Sequence, residues 1–158
     1  MATDLPLLYS IKGITPGVTT MEEASSLLSE WHPEASLRRG RAQLWCVNMS
    51  QASFTVACSR VEMLWLMFWE ETLAAVEGEF PRKDIPDMKA AFAGRFGPGP
   101  GVSSWTNSVS TALVEIDEGG RCYFQVTHCD LFERYSTKLT NQLAEERTRH
   151  LKMVCADI

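Results

Sequence analysis

The feature of this sequence that most limits its fold is an unbroken apolar run of seven residues, Met63 to Trp69. The run is far shorter than the ~20 residues that a helix needs to cross a bilayer, so the sequence predicts no membrane span. Alternation of larger side chains from Val61 onward favours a β-strand that is buried on both faces toward its end. A helix continuing to Val76 is the competing interpretation, and the residues leave both open.

Composition indicates a folded protein. The chain has 158 residues, of which 45% are hydrophobic and 22% charged, which is typical of one globular domain covering residues 1–158. The net charge of −5 argues against a nucleic-acid binder, since phosphate recognition needs a basic face. No glycine-rich phosphate-binding motif is present, and we expect no cofactor.

Three segments carry helix signals. A helix is predicted over about 20–31, with a Thr N-cap and a capping box closed by Glu22 or Glu23. A second begins at Ile85 and ends at Gly97, within a Gly-Pro segment. The third is a long amphipathic helix over about 131–154.

The segments between these predicted helices are predicted to contain β-strands. Those in the first half are Leu44–Val47 and Phe54–Cys58, and those in the second are Val102–Thr106, Thr111–Asp117 and Arg121–Thr127. The halves, about 13–80 and 81–130, each contain a helix followed by antiparallel strands, which suggests a weak internal repeat. We therefore predict an α+β fold, with one antiparallel sheet and helices packed on it.

Several short motifs resemble those of known bacterial domains. The opening of the first helix resembles BamE/SmpA-type domains, and the β-lactamase inhibitor protein fold is built from similar units in tandem. The second half resembles small secreted bacterial proteins of that kind. The residues that carry the resemblance are Ile14, Pro16, Gly17, Thr19, Thr20, Glu23, Leu27 and Leu28 in the first half, and Phe96-Gly97-Pro98 and Trp105-Thr106-Asn107 in the second. The resemblance implies a non-catalytic binding module that inhibits an enzyme or braces an envelope assembly, and it transfers no functional residue.

The start of the chain leaves the location open. Residues Met1 to Pro6 lack the basic start and apolar core of a signal peptide. This start is typical of a cytoplasmic protein. If Met1 replaces a removed signal peptide, the expected location is the periplasm or the cell exterior.

Two of the five cysteines are spaced for a cross-strand pair. A hairpin turn centred on Ala52 would place Cys46 opposite Cys58, near disulfide reach. The competing interpretation is two buried thiols that act as small hydrophobes. A shift of one residue in the turn would remove the pairing.

The sequence predicts neither a metal site nor a catalytic residue. Cys122, His128 and Cys129 lack the second ligand pair of a typical zinc site. His128, Cys129 and Asp130 are neighbours in the chain, so on a strand they point to alternating faces and cannot form a triad.

Trp65, Trp69, Glu70 and Glu71 are the predicted partner-binding residues. Aromatic anchors with an acidic rim are suited to a protein partner with a basic surface. The competing interpretation places both tryptophans in a buried central strand. The main functional expectation is an inhibitor or adaptor that acts by steric occlusion. The alternative is a carrier of a small apolar ligand, and a cysteine-dependent enzyme is least favoured.

Overall fold

The computed structural model describes residues 8–34, 37–39, 43–97 and 103–156. The helices in this part of the chain are α1 (Met21–Trp31), α2 (Ile85–Phe96) and α3 (Cys129–Ala156), and a 3-10 turn, Arg82–Asp84, leads into α2. The strands are β1 (Leu37–Arg39), β2 (Leu44–Asn48), β3 (Thr55–Val56), β4 (Ser59–Arg60), β5 (Met63–Trp69), β6 (Thr72–Glu79), β7 (Ser104–Thr106), β8 (Ser110–Ile116) and β9 (Cys122–His128).

Seven of these strands form one antiparallel sheet in the order β1-β2-β5-β6-β9-β8-β7. The meander of the first half therefore meets the meander of the second at the β6–β9 pair in the middle. β3 and β4 form a separate small hairpin. The predicted α+β class, with helices packed on an antiparallel sheet, is confirmed. That the two halves are a repeat stays a prediction.

The helices cover both faces of the sheet. Alternate strand residues such as Leu66, Val76 and Phe124 belong to the main core, which also contains Leu28 of α1 and Phe92 of α2. The opposite face carries α3, whose buried Tyr135 packs with Met67 and Ala75 in a second, smaller cluster. The sheet is thus the middle of three layers, and α3 alone lies on its second face within the described residues.

The predicted start of α1 is confirmed. Thr20 has extended backbone angles and its side chain accepts a hydrogen bond from the backbone N–H of Glu23. The Glu23 carboxylate in turn accepts from the backbone N–H of Thr20. This reciprocal capping box satisfies two N–H groups that the first turn of a helix leaves unpaired.

The run from Met63 to Trp69 is a strand, and the alternative of a helix continuing to Val76 is wrong. β5 pairs with β2 on one side and β6 on the other, with a register shift between Met67 and Phe68. The chain reverses at Glu70, whose φ is +56°. Toward the end of β5 both faces are buried, with Phe68 in the main core and Met67 beneath α3, which fits the unbroken apolar run.

The register predicted to bring Cys46 opposite Cys58 is wrong. Cys46 lies opposite Trp65, because β2 pairs with β5 rather than with the segment that follows it. The intervening residues instead bury Met49, Phe54 and others in the main core and turn back as the β3–β4 hairpin. Cys58 is an exposed free thiol in that turn, so no disulfide joins it to Cys46.

The second half agrees with its predicted elements. α2 ends at Gly97, whose φ of +89° suits glycine at a helix end. The turn between β8 and β9 contains Gly120 at a φ of +83°, as expected for a tight hairpin. Residues 98–102, the rest of the Gly-Pro segment and the predicted start of β7, lie outside the described residues.

Within the described ranges, none of the helices combines the length and apolar character that crossing a membrane requires.

Candidate functional site

Part of the sheet on the α3 side is left uncovered by the helix. α3 crosses β9, β6 and β5, and Tyr135 lies over Met67 and Ala75. Alongside this crossing is a group of half-buried or exposed side chains, which we call the open face. It consists of Met63, Trp65, Glu77, Glu79, Leu113, Glu115, Tyr123 and Gln125, together with Arg121 from the β8–β9 turn.

The strand register places four of these side chains in one row. Trp65 is paired with Glu77, Glu77 with Gln125, and Gln125 with Leu113. Directly paired residues of antiparallel strands project to the same side of the sheet. The row therefore crosses β5, β6, β9 and β8 and joins both halves of the chain.

Arg121 is the centre of the open face. Its Cζ atom lies 4.8 Å from the ring centroid of Trp65 and 4.7 Å from that of Tyr123. Its Nη2 atom donates to Glu77 Oε2 at 2.6 Å, and Nη1 donates to the same oxygen at 3.2 Å. Gln125 Nε2 donates to the other oxygen of Glu77 at 3.1 Å. The guanidinium is thus held by two rings and the carboxylate of Glu77, which leaves it little conformational freedom to lose on binding.

Burial shifts the pKa values of two groups in this cluster. The side chain of Glu77 is 16% exposed and that of Arg121 is 28% exposed. Burial raises the pKa of Glu77 above its ordinary 4.5, and the opposing effect of Arg121 does not cancel it. Burial and the neighbouring carboxylate of Glu115 raise the pKa of Tyr123, whose hydroxyl donates to Glu115 at 3.2 Å.

The open face has an excess of acids. β5, β6, β8 and β9 carry no lysine or arginine. Glu77, Glu79, Glu115 and Asp117 share this region with the guanidinium of Arg121, whose Nε atom lies 3.5 Å from Asp117 Oδ2. The local field favours a cationic partner.

The four residues predicted to bind a partner do not form one patch. Trp65 lies on the open face, whereas Trp69 borders a shallow groove of about 720 Å³ on the other flank of α3. Lys138 lies 5.8 Å from the Trp69 ring centroid. Glu70 and Glu71 form the exposed β5–β6 turn beside Trp69, and the backbone carbonyl of Glu71 accepts from Met21 at the start of α1. That these residues bind a partner stays a prediction.

An open cleft of about 340 Å³ lies where α3 borders the sheet, next to the open face. Its walls are mainly apolar, with the polar groups of Glu77 and Gln125 at one side. The apolar side chains around it are Leu44, Trp65, Met67, Phe132, Tyr135 and Leu139.

His128, Cys129 and Asp130 have local structural contacts where β9 passes into α3. His128 Nδ1 accepts from the backbone N–H of Leu131 at 3.2 Å and so caps the helix. Cys129 Sγ lies 3.6 Å from the Thr111 hydroxyl, and Asp130 pairs with Arg134 at 3.3 Å. Among the described residues, no group of three or more histidine, cysteine or acidic side chains is arranged to hold a metal ion.

Sequence reasoning did not identify Arg121 and Glu77 as site residues. The turn at Glu118-Gly119-Gly120 does indicate that Arg121, Tyr123 and Gln125 share one face of the following strand. The contact with Glu77 joins residues 44 positions apart, and no local signal in the sequence gives that pairing.

Comparison of the chain with protein family models, curated proteins and solved structures gives no significant match.

Proposed function

We propose that this chain is a non-catalytic protein-binding module, an inhibitor or adaptor of bacterial type, that holds a basic partner against its open face. The observation that carries the proposal is the guanidinium of Arg121, fixed between Trp65 and Tyr123 and bonded to Glu77. Tryptophan, tyrosine and arginine are the residue types that most often dominate binding energy at protein interfaces. Here they lie together, half-buried, on the part of the sheet beside α3.

The acids around this cluster determine the kind of partner. Glu79 and Glu115 lie on the outer part of the open face, where they would meet lysine or arginine side chains of a bound protein. Such charge complementarity speeds association and rejects acidic partners. The bound protein would have part of its own surface covered, which is how an occluding inhibitor or adaptor acts.

The test is affinity capture from a bacterial lysate with the tagged chain, compared between charge-reversal variants. Glu79→Lys with Glu115→Lys reverses the open face, and Glu70→Lys with Glu71→Lys reverses the β5–β6 turn. Glu30→Lys with Glu34→Lys, at the exposed end of α1, is the matched control. Loss of a retained protein with the first pair alone supports the proposal. Loss with the second pair alone would move the binding site to the turn predicted from the sequence.

Three further measurements check this interpretation. Trp65→Ala should also release the partner, and far-ultraviolet circular dichroism should show that each variant keeps its helices. Retention should weaken as salt is raised, because exposed charges are screened. If no protein is retained at low salt, or if all three variants retain it equally, the proposal is wrong.

A second candidate function, a carrier of a small apolar ligand, is favoured by the open cleft of about 340 Å³ beside α3. Ligand sites commonly start at about 300 Å³ and combine apolar walls with a few polar groups. Native mass spectrometry of the purified protein should then show a bound small molecule that denaturation removes. A mass equal to that of the chain alone would count against this candidate.

A further inference from the structure

The open cleft beside α3 is continuous with the open face, because Trp65, Glu77 and Gln125 belong to both. The residues of α3 that line the cleft are all uncharged: Phe132, Tyr135, Ser136, Leu139 and Thr140. A protein bound to the open face therefore also lies against the cleft.

The lining of the cleft suits an apolar group. Glu77 is the one charged residue that lines it in the part of the chain that the structure describes. Both oxygens of this carboxylate already accept hydrogen bonds, one from Arg121 and the other from Gln125. A charged group placed in the cleft would lose its hydration without gaining a free counter-charge. Transfer of an apolar side chain from water into the cleft is favourable instead.

The size and the openness of the cleft favour a side chain of a bound protein over a free molecule. Its volume of about 340 Å³ is near the lower end of small-molecule sites, which bury roughly 70–90% of the ligand surface. A free ligand in an open cleft would leave part of its surface in water. When a protein presents the apolar side chain, the protein itself covers the open side.

Two acids without an ion-pair partner lie beside the cleft. Glu79 and Glu115 are both paired with Tyr123, one from each neighbouring strand, so they lie about 10 Å apart across β9. Within the described ranges, neither carboxylate is at ion-pair distance from a lysine or arginine. The charge of Arg121, by contrast, is matched by Glu77. Bases of a partner would therefore be attracted to the positions next to the cleft.

We propose that the partner of the open face is an extended segment that inserts one apolar side chain into the cleft and places two bases against Glu79 and Glu115. The inference rests on the proposed function, since it describes the part of the partner that the open face holds. Side chains two residues apart in an extended segment lie on one side, about 7 Å apart. Glu79 is the same distance along β6 from Glu77, and Glu115 is about 12 Å from Glu77 by the strand spacings. The recognised pattern is an apolar residue followed by bases two and four residues later.

Nuclear magnetic resonance titration of the full ¹⁵N-labelled chain tests this pattern. The probe is the end-blocked peptide Ser-Leu-Ala-Lys-Ala-Lys-Ser. The indole N–H signal of Trp65, identified by its loss in Trp65→Phe, should shift. That of Trp105, which is 2% exposed in the main core, should not. Replacing the leucine of the peptide by serine should weaken binding about tenfold or more. The spacing control, Ser-Ala-Lys-Leu-Lys-Ala-Ser, should also bind more weakly, because its leucine and lysines project to opposite sides.

Two substitutions on α3 fill the cleft. Ser136→Phe and Thr140→Phe should each weaken peptide binding about tenfold or more, since both residues line the cleft. Thr137→Phe is the matched control, because Thr137 lines the groove on the other flank of the helix, and it should bind like the wild type. Thr140 is exposed, so its substitution leaves the packing of α3 on the sheet in place. Circular dichroism at 222 nm checks that each variant keeps its helices.

The inference is overturned if the peptide causes no shift of the Trp65 signal at about millimolar concentration, or if the serine peptide or the spacing control binds equally well. It is also overturned if Ser136→Phe and Thr140→Phe both bind like Thr137→Phe. A small molecule found in the purified protein by native mass spectrometry, and lost in Ser136→Phe alone, would give the cleft to a free ligand.

Capture from lysate separates this inference from the proposed function. A retained protein that is lost with Glu79→Lys and Glu115→Lys, but kept by Ser136→Phe and Thr140→Phe, would leave the open face as the binding surface. The cleft would then have no part in binding, and the inference would be wrong while the proposed function stands.

Discussion

At the scale of single residues, the Glu77–Arg121 ion pair is the contact that most restricts the side chains of the open face. The carboxylate accepts from two nitrogens of Arg121 and one of Gln125, yet its pKa is raised because burial outweighs these interactions. In such partly buried pairs, the loss of hydration can exceed the attraction between the charges. The pair therefore fixes the position of Arg121 more than it stabilises the fold.

The raised pKa of Glu77 predicts that the free energy of unfolding depends on pH, and this part of the dependence can be assigned to Glu77. A raised pKa in the folded state means that Glu77 favours folding when it is protonated. Its contribution is complete below about 4.5 and is lost as the pH rises through the raised folded pKa. Relative to Glu77→Gln, which cannot ionise, the wild-type free energy of unfolding should therefore fall over that interval.

Urea unfolding of both proteins at a series of pH values measures the difference. The Gln variant provides the control, because every other titrating group is common to the two proteins. A difference that grows in favour of the wild type as the pH rises would show that the ion pair outweighs the burial of the carboxylate.

At the scale of elements, the two glycines that lie inside the described helices and strands have opposite roles. Gly78 lies in the central strand β6, where an added Cβ would overlap the ring of Phe124. That ring is fully buried and has Phe92 and Phe80 as neighbours, so it has no space into which to move. Gly94, within α2, has no atom within 4 Å of the position that a Cβ would take.

Gly78→Ala should therefore lower the free energy of unfolding by about 1–3 kcal/mol through overpacking. Gly94→Ala should raise it by up to about 1 kcal/mol, because alanine is the better helix former. Chemical denaturation of the two variants and the wild type decides the prediction. Equal effects of the same sign would mean that the contact between Gly78 and Phe124 does not limit the packing of the sheet.

At the scale of the whole molecule, one sheet supports both apolar clusters. β5 contributes Leu66 and Phe68 to the main core and Met67 to the cluster beneath α3. Because neighbouring residues of a strand serve opposite faces, loss of either layer removes support from the other.

We therefore predict a single cooperative unfolding transition. Tryptophans report on both faces, with Trp45 and Trp105 in the main core and Trp65 and Trp69 beside α3. Tryptophan fluorescence and far-ultraviolet circular dichroism should give the same midpoint in denaturant. A circular dichroism transition that precedes the fluorescence change would show that α3 unfolds before the sheet.

Sequence and structure agree best where a signal acts within a few residues. Thr20 with Glu23, Gly97, and the turn before β9 each set a helix end or a hairpin by local hydrogen bonding and backbone geometry. The amphipathic pattern over 131–154 likewise marks α3. These features depend on neighbours in the chain, so a single sequence is enough to predict them.

Tertiary structure alone decided which strands pair and which side chains meet. Cys46 lies opposite Trp65 and not Cys58, since burial of Phe54 and Val56 in the core turns the intervening segment into its own hairpin. Arg121 reaches Glu77 only because β6 and β9 pair in the middle of the sheet. Such contacts are selected by the burial of the whole apolar set, which must outweigh the entropy of closing long loops. A short segment of sequence therefore does not show which strands pair.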